Sequence, residues 1–203
     1  IGRDGRREQA RELRLRRHDQ AVRVFRMLQI SFRGDRVARG LRVTRKLHIF
    51  LGDVMGRSGR AAVVARLPTL RTAWALDFVV VNGENATGGL GLSPEHAKAL
   101  LGAGADCITL GDHAFDQKEM TSFIESEPRI IRPLNYARAA PGRGARVFDA
   151  RGGRRVLVAQ ALGRVFMKQP FDDPFSAVDQ VLKTYRLGGA VQAAVIDVHA
   201  EAT

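Results

Sequence analysis

The sequence predicts an α/β fold, and three observations carry that expectation. From residue 47 onward, short apolar runs bounded by Gly, Asp or Asn alternate with stretches of helical periodicity, which is the pattern of consecutive βα units. Three such units in succession imply a mainly parallel sheet with right-handed crossovers. Beyond residue 145 the style changes, because two β-type runs flank Gly152-Gly153. That is a hairpin signal, and the pair either joins the first sheet or forms a second one.

The elements follow in order. Residues 47–51 read as a buried strand, and residues 60–74 as a helix carrying Val63, Val64, Leu67, Leu70 and Trp74 at helical spacing. Residues 78–81 contain three consecutive valines and look buried on both faces. Ser93 caps the next helix, Pro94 takes its first position, and Gly102 and Gly104 close it. Residues 107–110 form the third strand, after which Asp116 and Glu119 resemble a capping pair for a helix over 117–126. The stretch 132–146 is loop-rich, with two prolines and two glycines. Residues 146–149 and 155–159 are the hairpin strands, Asp173-Pro174 opens a helix to about Tyr185, and 193–198 is a last strand ending at His199.

Composition limits the functional classes. The 203 residues, 45% hydrophobic, suffice for one substantial core and not for two full catalytic domains. The net charge of +12 suggests nucleic acid or an anionic surface until its distribution is examined. Residues 1–46 hold 15 Lys and Arg against 5 Asp and Glu, which leaves 18 against 16 for residues 47–203. The basicity therefore belongs to an N-terminal extension, 1–46, read as disordered or not naturally translated, with a basic amphipathic helix conceivable at 21–32. That extension is also the candidate for non-specific nucleic-acid contact, or for a targeting arm. The domain proper is expected over 47–203. A basic nucleic-acid-binding module fits that part poorly, since its charge is nearly balanced and only 6% of the chain is aromatic.

Cys107 is the only cysteine, which excludes an internal disulfide and argues against a cysteine zinc site. No run approaches the roughly 18–20 uninterrupted apolar residues of a membrane helix, and the N-terminus lacks the apolar core of a secretory signal. The expectation is a soluble cytoplasmic protein without a membrane partner.

Chemistry-bearing residues gather where apolar runs end. Asp53 follows the first strand, Glu84 and Asn85 the second, and Asp112 and His113 the third, while His199 ends the last. In an open α/β sheet, ligand-binding loops lie at the C-terminal ends of strands. Adjacent strands are about 4.8 Å apart, so these ends would come within several ångströms of one another. Carboxylates, an amide oxygen and imidazoles form a mixed donor set suited to manganese, iron or zinc. Each residue alone has a plainer reading. Asp53 can cap the following helix, Asn85 can serve a turn, His113 can be a satisfied loop histidine, and His199 can be structural, as His48 and His96 are expected to be. Glu84 resists such a reading, because a carboxylate directly after an apolar strand is costly unless it is paired or metal-bound. Gly88-Gly89-Leu90-Gly91 matches no established phosphate loop and reads better as a turn leading to Ser93.

In order along residues 47–203, the stretches GDVMGRSGR, NGENATGGLGL, TLGDHAFDQKE, EPRIIRPLNY, PGRG, LGRVFM and DVHAEAT resemble the YmdB-like branch of the calcineurin-like metallophosphoesterases. The resemblance implies a β-sandwich flanked by helices in αββα layers. It implies a phosphodiesterase acting on a small 2′,3′-cyclic nucleotide through two divalent or mixed-valence metal ions, iron or manganese before zinc or magnesium. Position by position, Asp53 matches a ligand of the first ion, Glu84 the carboxylate bridging both, and Asn85 an amide ligand of the first. Asp112 stands where the wider GNH motif has an asparagine ligand of the second ion, and the exchange adds a negative charge. His199 matches a ligand of the second ion, and His113 the proton donor.

The resemblance also implies a continuation beyond HAEAT into further strands and a GTHTHVQT-like segment with two more ligand histidines. The chain holds only His18, His48, His96, His113 and His199. The domain is thus expected to be incomplete at its C-terminus, and the 203-residue chain to be inactive or nearly so. A regulatory pseudo-enzyme or fragment remains an alternative, as does completion of the site by homo-oligomerisation. Deleting residues 1–42 is expected to leave a soluble, folded domain; loss of cooperative unfolding in the shortened chain would refute the domain boundary.

Overall fold

The computed structural model describes residues 48–201 apart from Lys168. The basic extension 1–46, with the helix considered at 21–32, lies outside the described residues. Strands β1 (His48–Leu51), β2 (Phe78–Asn82), β3 (Cys107–Thr109) and β4 (Ile130–Ile131) form one sheet in that order, every neighbouring pair parallel. Between them run helices α1 (Gly56–Ala73), α2 (Pro94–Gly102) and α3 (Met120–Ser126).

Side-chain alternation along these strands builds two cores. Ile49, Leu51, Val79, Val81 and Ile108 meet Val63 and Leu67 of α1, Leu100 and Leu101 of α2, and Met120 and Ile124 of α3. The opposite face, Phe78, Val80, Cys107 and Ile131, meets a second sheet through Phe148, Val156, Val158, Ala193 and Val195. β2 is buried at all five positions, as its valine run predicts. β1 alternates instead, with His48 and Phe50 half-buried, because it is the edge strand of its sheet.

The second sheet contains β5 (Ala145–Ala150), β6 (Arg154–Leu162) and β7 (Ala193–His199). β5 and β6 are the expected antiparallel hairpin, turned by Gly152 and Gly153 at positive φ. β7 pairs parallel with β6, and helix α4 (Pro174–Thr184) lies between them in the chain. α4 packs against β6, whose Leu157 and Ala159 point away from the inter-sheet core yet are fully buried. The layers are therefore helix, sheet, sheet, helix, the αββα sandwich implied by the resemblance. No described helix is long and apolar enough to cross a membrane.

Local chemistry sets the helix ends. Ser93 Oγ accepts the His96 amide and Asp173 accepts those of Phe175 and Ser176, each satisfying a helix-terminal donor that would otherwise lack a partner. Two helix starts differ from expectation. α1 begins at Gly56 rather than residue 60, since its N-cap, Met55, offers no side-chain signal and the glycines at 56 and 59 resemble a loop. α3 begins at Met120 rather than 117, and Glu119 at its N-cap makes no side-chain cap bond. Asp116 has a different partner, His113, described below.

An ion pair ties the helical layer to the sheet. Arg71 of α1 grips Asp106 through both carboxylate oxygens, at 2.8 and 3.0 Å, while the Val79 amide donates to Asp106 Oδ2 at 2.8 Å. Asp106 thus joins α1, β2 and the entry to β3. Asp106→Ala leaves the Val79 N–H unmatched and the Arg71 guanidinium with only its bond to the Gly104 carbonyl, and is expected to cost about 1–3 kcal/mol. Urea unfolding measures this directly, and an unchanged midpoint would show that the bridge contributes nothing.

Candidate metal centre

The residues expected at the site arrive from both sheets. β1 delivers Asp53, β2 delivers Glu84 and Asn85, β3 delivers Asp112 and His113, and β7 carries His199 at its end. In space they form one continuous series. Asn85 Nδ2 donates to Asp53 Oδ1 at 2.8 Å and approaches Glu84 Oε1 at 3.3 Å. His199 Nε2 stands 3.3 Å from both Glu84 Oε1 and Asp112 Oδ1. His113 Nε2 is 3.9 Å from Asp112 Oδ2. One ligand atom each from Glu84, Asp112 and His113 lies within 4.8 Å of the others.

Asp53 does not cap α1. Its φ is +46°, a left-handed conformation that Asp tolerates better than most residues. The backbone around it is held by Val54 N to Asn82 O at 3.0 Å and Gly56 N to Asn85 O at 2.8 Å. The strained turn aims the carboxylate at Asn85, away from the helix terminus.

Glu84 is almost wholly buried, and its carboxylate occupies space that only a glycine opposite can leave open. A Cβ placed on Gly111 would lie 1.1 Å from Glu84 Oε2. That same oxygen, like His199 Nε2, is buried with no hydrogen-bond partner among the described residues. Buried polar atoms are normally satisfied, so two orphaned ligand atoms facing a cluster of carboxylates are what a cation-binding site presents. Burial first, and then the charges of Asp112, Asp53, Asp197 and Glu201, push the Glu84 carboxyl from its ordinary value of 4.5 up to about 8. The donor set fits a hard or borderline divalent cation, whose charge would offset that crowding.

His113 is oriented from its other side. Asp116 Oδ2 sits 2.7 Å from Nδ1, which leaves Nε2 facing the centre. Asp116 therefore serves the histidine and not the helix that follows. Tyr136 donates its hydroxyl to the carbonyls of Gly111 at 3.2 Å and Asp112 at 2.9 Å, fixing the loop that carries both site residues. Burial and the nearby Asp112 and Glu84 raise the Tyr136 phenol, so it remains a donor. Tyr136 comes from the loop-rich stretch, which buried Arg132 braces by donating to the carbonyls of Pro133, Ala140 and Pro141. A recess beside the centre is lined by Asp112, His113, Asp116, Gln169 and Phe171.

Beneath the centre lies a polar layer that sequence reasoning missed. Asp197 Oδ2 accepts from Asn82 Nδ2 at 3.0 Å, Thr109 Oγ1 at 2.6 Å and Gln160 Nε2 at 2.7 Å. A signal existed. Asn82 and Thr109 continue the inward alternation of Phe78–Val80 and of Cys107, and Asp197 stands two residues before His199 on the same strand face.

Two plainer readings are also met. His96 Nδ1 lies 2.7 Å from Thr87 Oγ1, a structural link within the glycine-rich turn. In that turn the amides of Thr87, Gly89 and Leu90 are engaged by local carbonyls, and Gly88, Gly89 and Gly91 have positive φ. These local bonds make it a tight turn leading to Ser93, the plainer of the two readings.

Because folded Glu84 holds a proton that the unfolded chain releases above about pH 4.5, its contribution to stability is full below that value and is lost as pH rises through about 8. Asp197, raised by burial, acts in the same sense. The chelator-treated protein is expected to show a lower urea midpoint at about pH 8 than at about pH 5, by the equivalent of a few kcal/mol. Glu84→Gln should flatten most of that slope; equal wild-type midpoints at the two pH values would contradict the crowding.

The YmdB-like protein family matches residues 49–203 of the chain. The 2′,3′-cyclic-nucleotide 2′-phosphodiesterase of Bacillus subtilis (strain 168) is 38% identical over 155 residues, which is 76% of this chain and 57% of that protein. The crystal structure of a hypothetical protein from Thermus thermophilus superposes with a TM-score of 0.70 at 41% identity, covering 76% of this chain and 58% of that one. The crystal structure of a novel phosphatase from Mycoplasma pneumoniae gives a TM-score of 0.68 at 32% identity, covering 76% and 55%. The chain thus spans a little over half the length of these relatives.

Proposed function

The chain belongs to the YmdB-like family of metallophosphoesterase hydrolases, and on that footing we propose that it carries the metal centre of a phosphodiesterase acting on a small 2′,3′-cyclic nucleotide. One observation supports this above all. Six donor-bearing side chains from four strand ends meet in series, none more than 3.9 Å from a neighbour, and two of their buried atoms have no hydrogen-bond partner among the described residues.

In this reading Asp53, Glu84, Asn85, Asp112 and His199 are the residues that would hold two metal ions, Glu84 being the carboxylate common to both. Asn85 would ligate through Oδ1, which requires its amide to be turned over from the orientation in which Nδ2 faces Asp53. Iron and manganese suit these donors first, zinc and magnesium after them. Bound divalent ions supply positive charge that polarises the phosphoryl group and makes an attacking water more acidic.

The protein's own groups do the rest. His113 presents Nε2 toward the centre and donates the proton that the departing ribose oxygen needs, a contribution of roughly 10²–10⁴-fold. Asp116, 2.7 Å from Nδ1, fixes the ring's orientation and decides which nitrogen faces substrate. The recess beside His113, which Gln169 and Phe171 also line, would receive the nucleoside portion. The buried free thiol of Cys107 is compatible with a cytoplasmic setting, and the segment 1–46 remains the candidate for non-specific nucleic-acid contact.

The test separates metal capture from proton transfer. After dialysis against Mn²⁺ or Fe²⁺, elemental analysis is expected to find metal bound to the wild type and to His113→Ala, and little in Glu84→Gln. The chain spans a little over half of its relatives and its turnover is expected to be very low. The second readout is therefore whatever metal-dependent hydrolysis of 2′,3′-cyclic nucleotides it retains, which should fall about 10²–10⁴-fold in His113→Ala. Loss of metal from His113→Ala would make it a ligand, and undiminished turnover would remove it from the reaction.

A further inference from the structure

We infer that Asp197, with Asn82 as its arm, is a positioning residue that sets the metal centre from beneath by locking the two sheets together at the site. The inference rests on the metal reading above.

Asp197 is more than nine-tenths buried between the sheets. Its Oδ2 gathers three donors from three strands: Asn82 of β2 at 3.0 Å, Thr109 of β3 at 2.6 Å and Gln160 of β6 at 2.7 Å. Asn82 Nδ2 and Gln160 Nε2 also both donate to the Leu110 carbonyl, at the exit of β3. A buried carboxylate is expensive unless it is saturated with donors. Here a single oxygen, Oδ2, takes three donors, two of them from the strands β2 and β3 whose ends make up the site.

Two of the proposed ligands are placed by this knot. Asn82, while donating to Asp197, accepts the Glu84 backbone amide on its Oδ1 at 3.2 Å. Asp197 therefore reaches Glu84 through one intervening amide. His199 follows Asp197 by two residues on the same inward face of β7, and the strand is registered to its end, Leu162 opposite His199. The 3.3 Å approach of His199 Nε2 to Glu84 Oε1 spans the two sheets, so it depends on how β7 is seated against β2 and β3. Apolar packing alone permits small slides of one sheet over another; three directional bonds converging on a single oxygen do not.

Calorimetric titration of Mn²⁺ alone into chelator-stripped protein tests this, with urea midpoints recorded alongside. Asp197→Ala and Asn82→Ala are expected to bind Mn²⁺ about 10- to 100-fold more weakly, the range for residues that orient ligands without touching the metal. Asp197→Asn, whose carbonyl can take the place of Oδ2, should recover most of the lost affinity. Thr109→Val removes one donor at nearly constant volume and should weaken binding by about 5-fold, one net hydrogen bond's worth. A purely structural role predicts a lowered urea midpoint with unchanged Mn²⁺ affinity, and that result overturns the inference. If the alanine variants do not fold, unchanged affinity in Thr109→Val overturns it instead. A wild type that takes up no Mn²⁺ overturns the metal reading and this inference together, whereas a wild type that binds with variants that bind equally well refutes only the positioning role.

Discussion

Glu84 must sit buried beside Asp53 and Asp112, and most of the polar architecture follows from making that tolerable. Desolvated itself and repelled by half-buried Asp112 and exposed Asp53, the Glu84 carboxyl resists ionisation and is pushed up to about 8. A metal-free fold has few remedies. One carboxyl keeps its proton, Asn85 lends its N–H groups to two of the acids, and His199 stands between the other pair. A divalent cation answers the same problem more completely. The site is therefore poised for metal by electrostatic stress that the fold accepts in its absence.

Holding that arrangement requires close control of the backbone, and the chain obtains it by unusual local choices. Asp53 adopts a left-handed conformation to turn its carboxylate inward. Gly111 gives up its side chain so that Glu84 Oε2 can occupy the space a Cβ would fill. Tyr136 reaches from a distant loop to clamp the carbonyls of Gly111 and Asp112. The first two are unfavourable for folding taken alone and make sense as support for the centre, whereas the Tyr136 clamp, which also packs on Phe115 and Phe171, serves the core as well.

The two sheets divide the work. The parallel sheet brings Asp53, Glu84, Asn85, Asp112 and His113 to one edge simply because parallel strands end together. The second sheet contributes His199 and, below it, the Asp197 knot that joins β2, β3, β6 and β7. Its outer side is covered at β6 by α4, which has no fully buried residue of its own. Val198 on β7 is 68% exposed and Phe175 on α4 is 81% exposed. The apolar contacts of this half thus face mostly inward, toward the parallel sheet and the site.

Much of this was legible in the order of residues. The βα alternation, the hairpin at Gly152-Gly153, the caps at Ser93 and Asp173 and the clustering of ligand-type residues after strands are local signals, carried by side chains a few positions apart, and motif order along 47–203 pointed to the family. Other features were not local. The two-residue β4 is too short for any periodicity, and Asp116 looked like a helix cap because its actual partner, His113, could be recognised only once the loop had its shape. The alliance of Asn82, Thr109, Gln160 and Asp197 joins residues up to 115 positions apart. Residue order was enough to say which side chains could serve as ligands and that parallel strands would carry most of them to one edge, since both follow from side-chain chemistry and short-range pattern. It took the stacking of the two sheets to bring His199 face to face with Glu84 and to seat a buried aspartate beneath them, because contacts of that kind depend on how distant strands lie against each other and no local pattern encodes that.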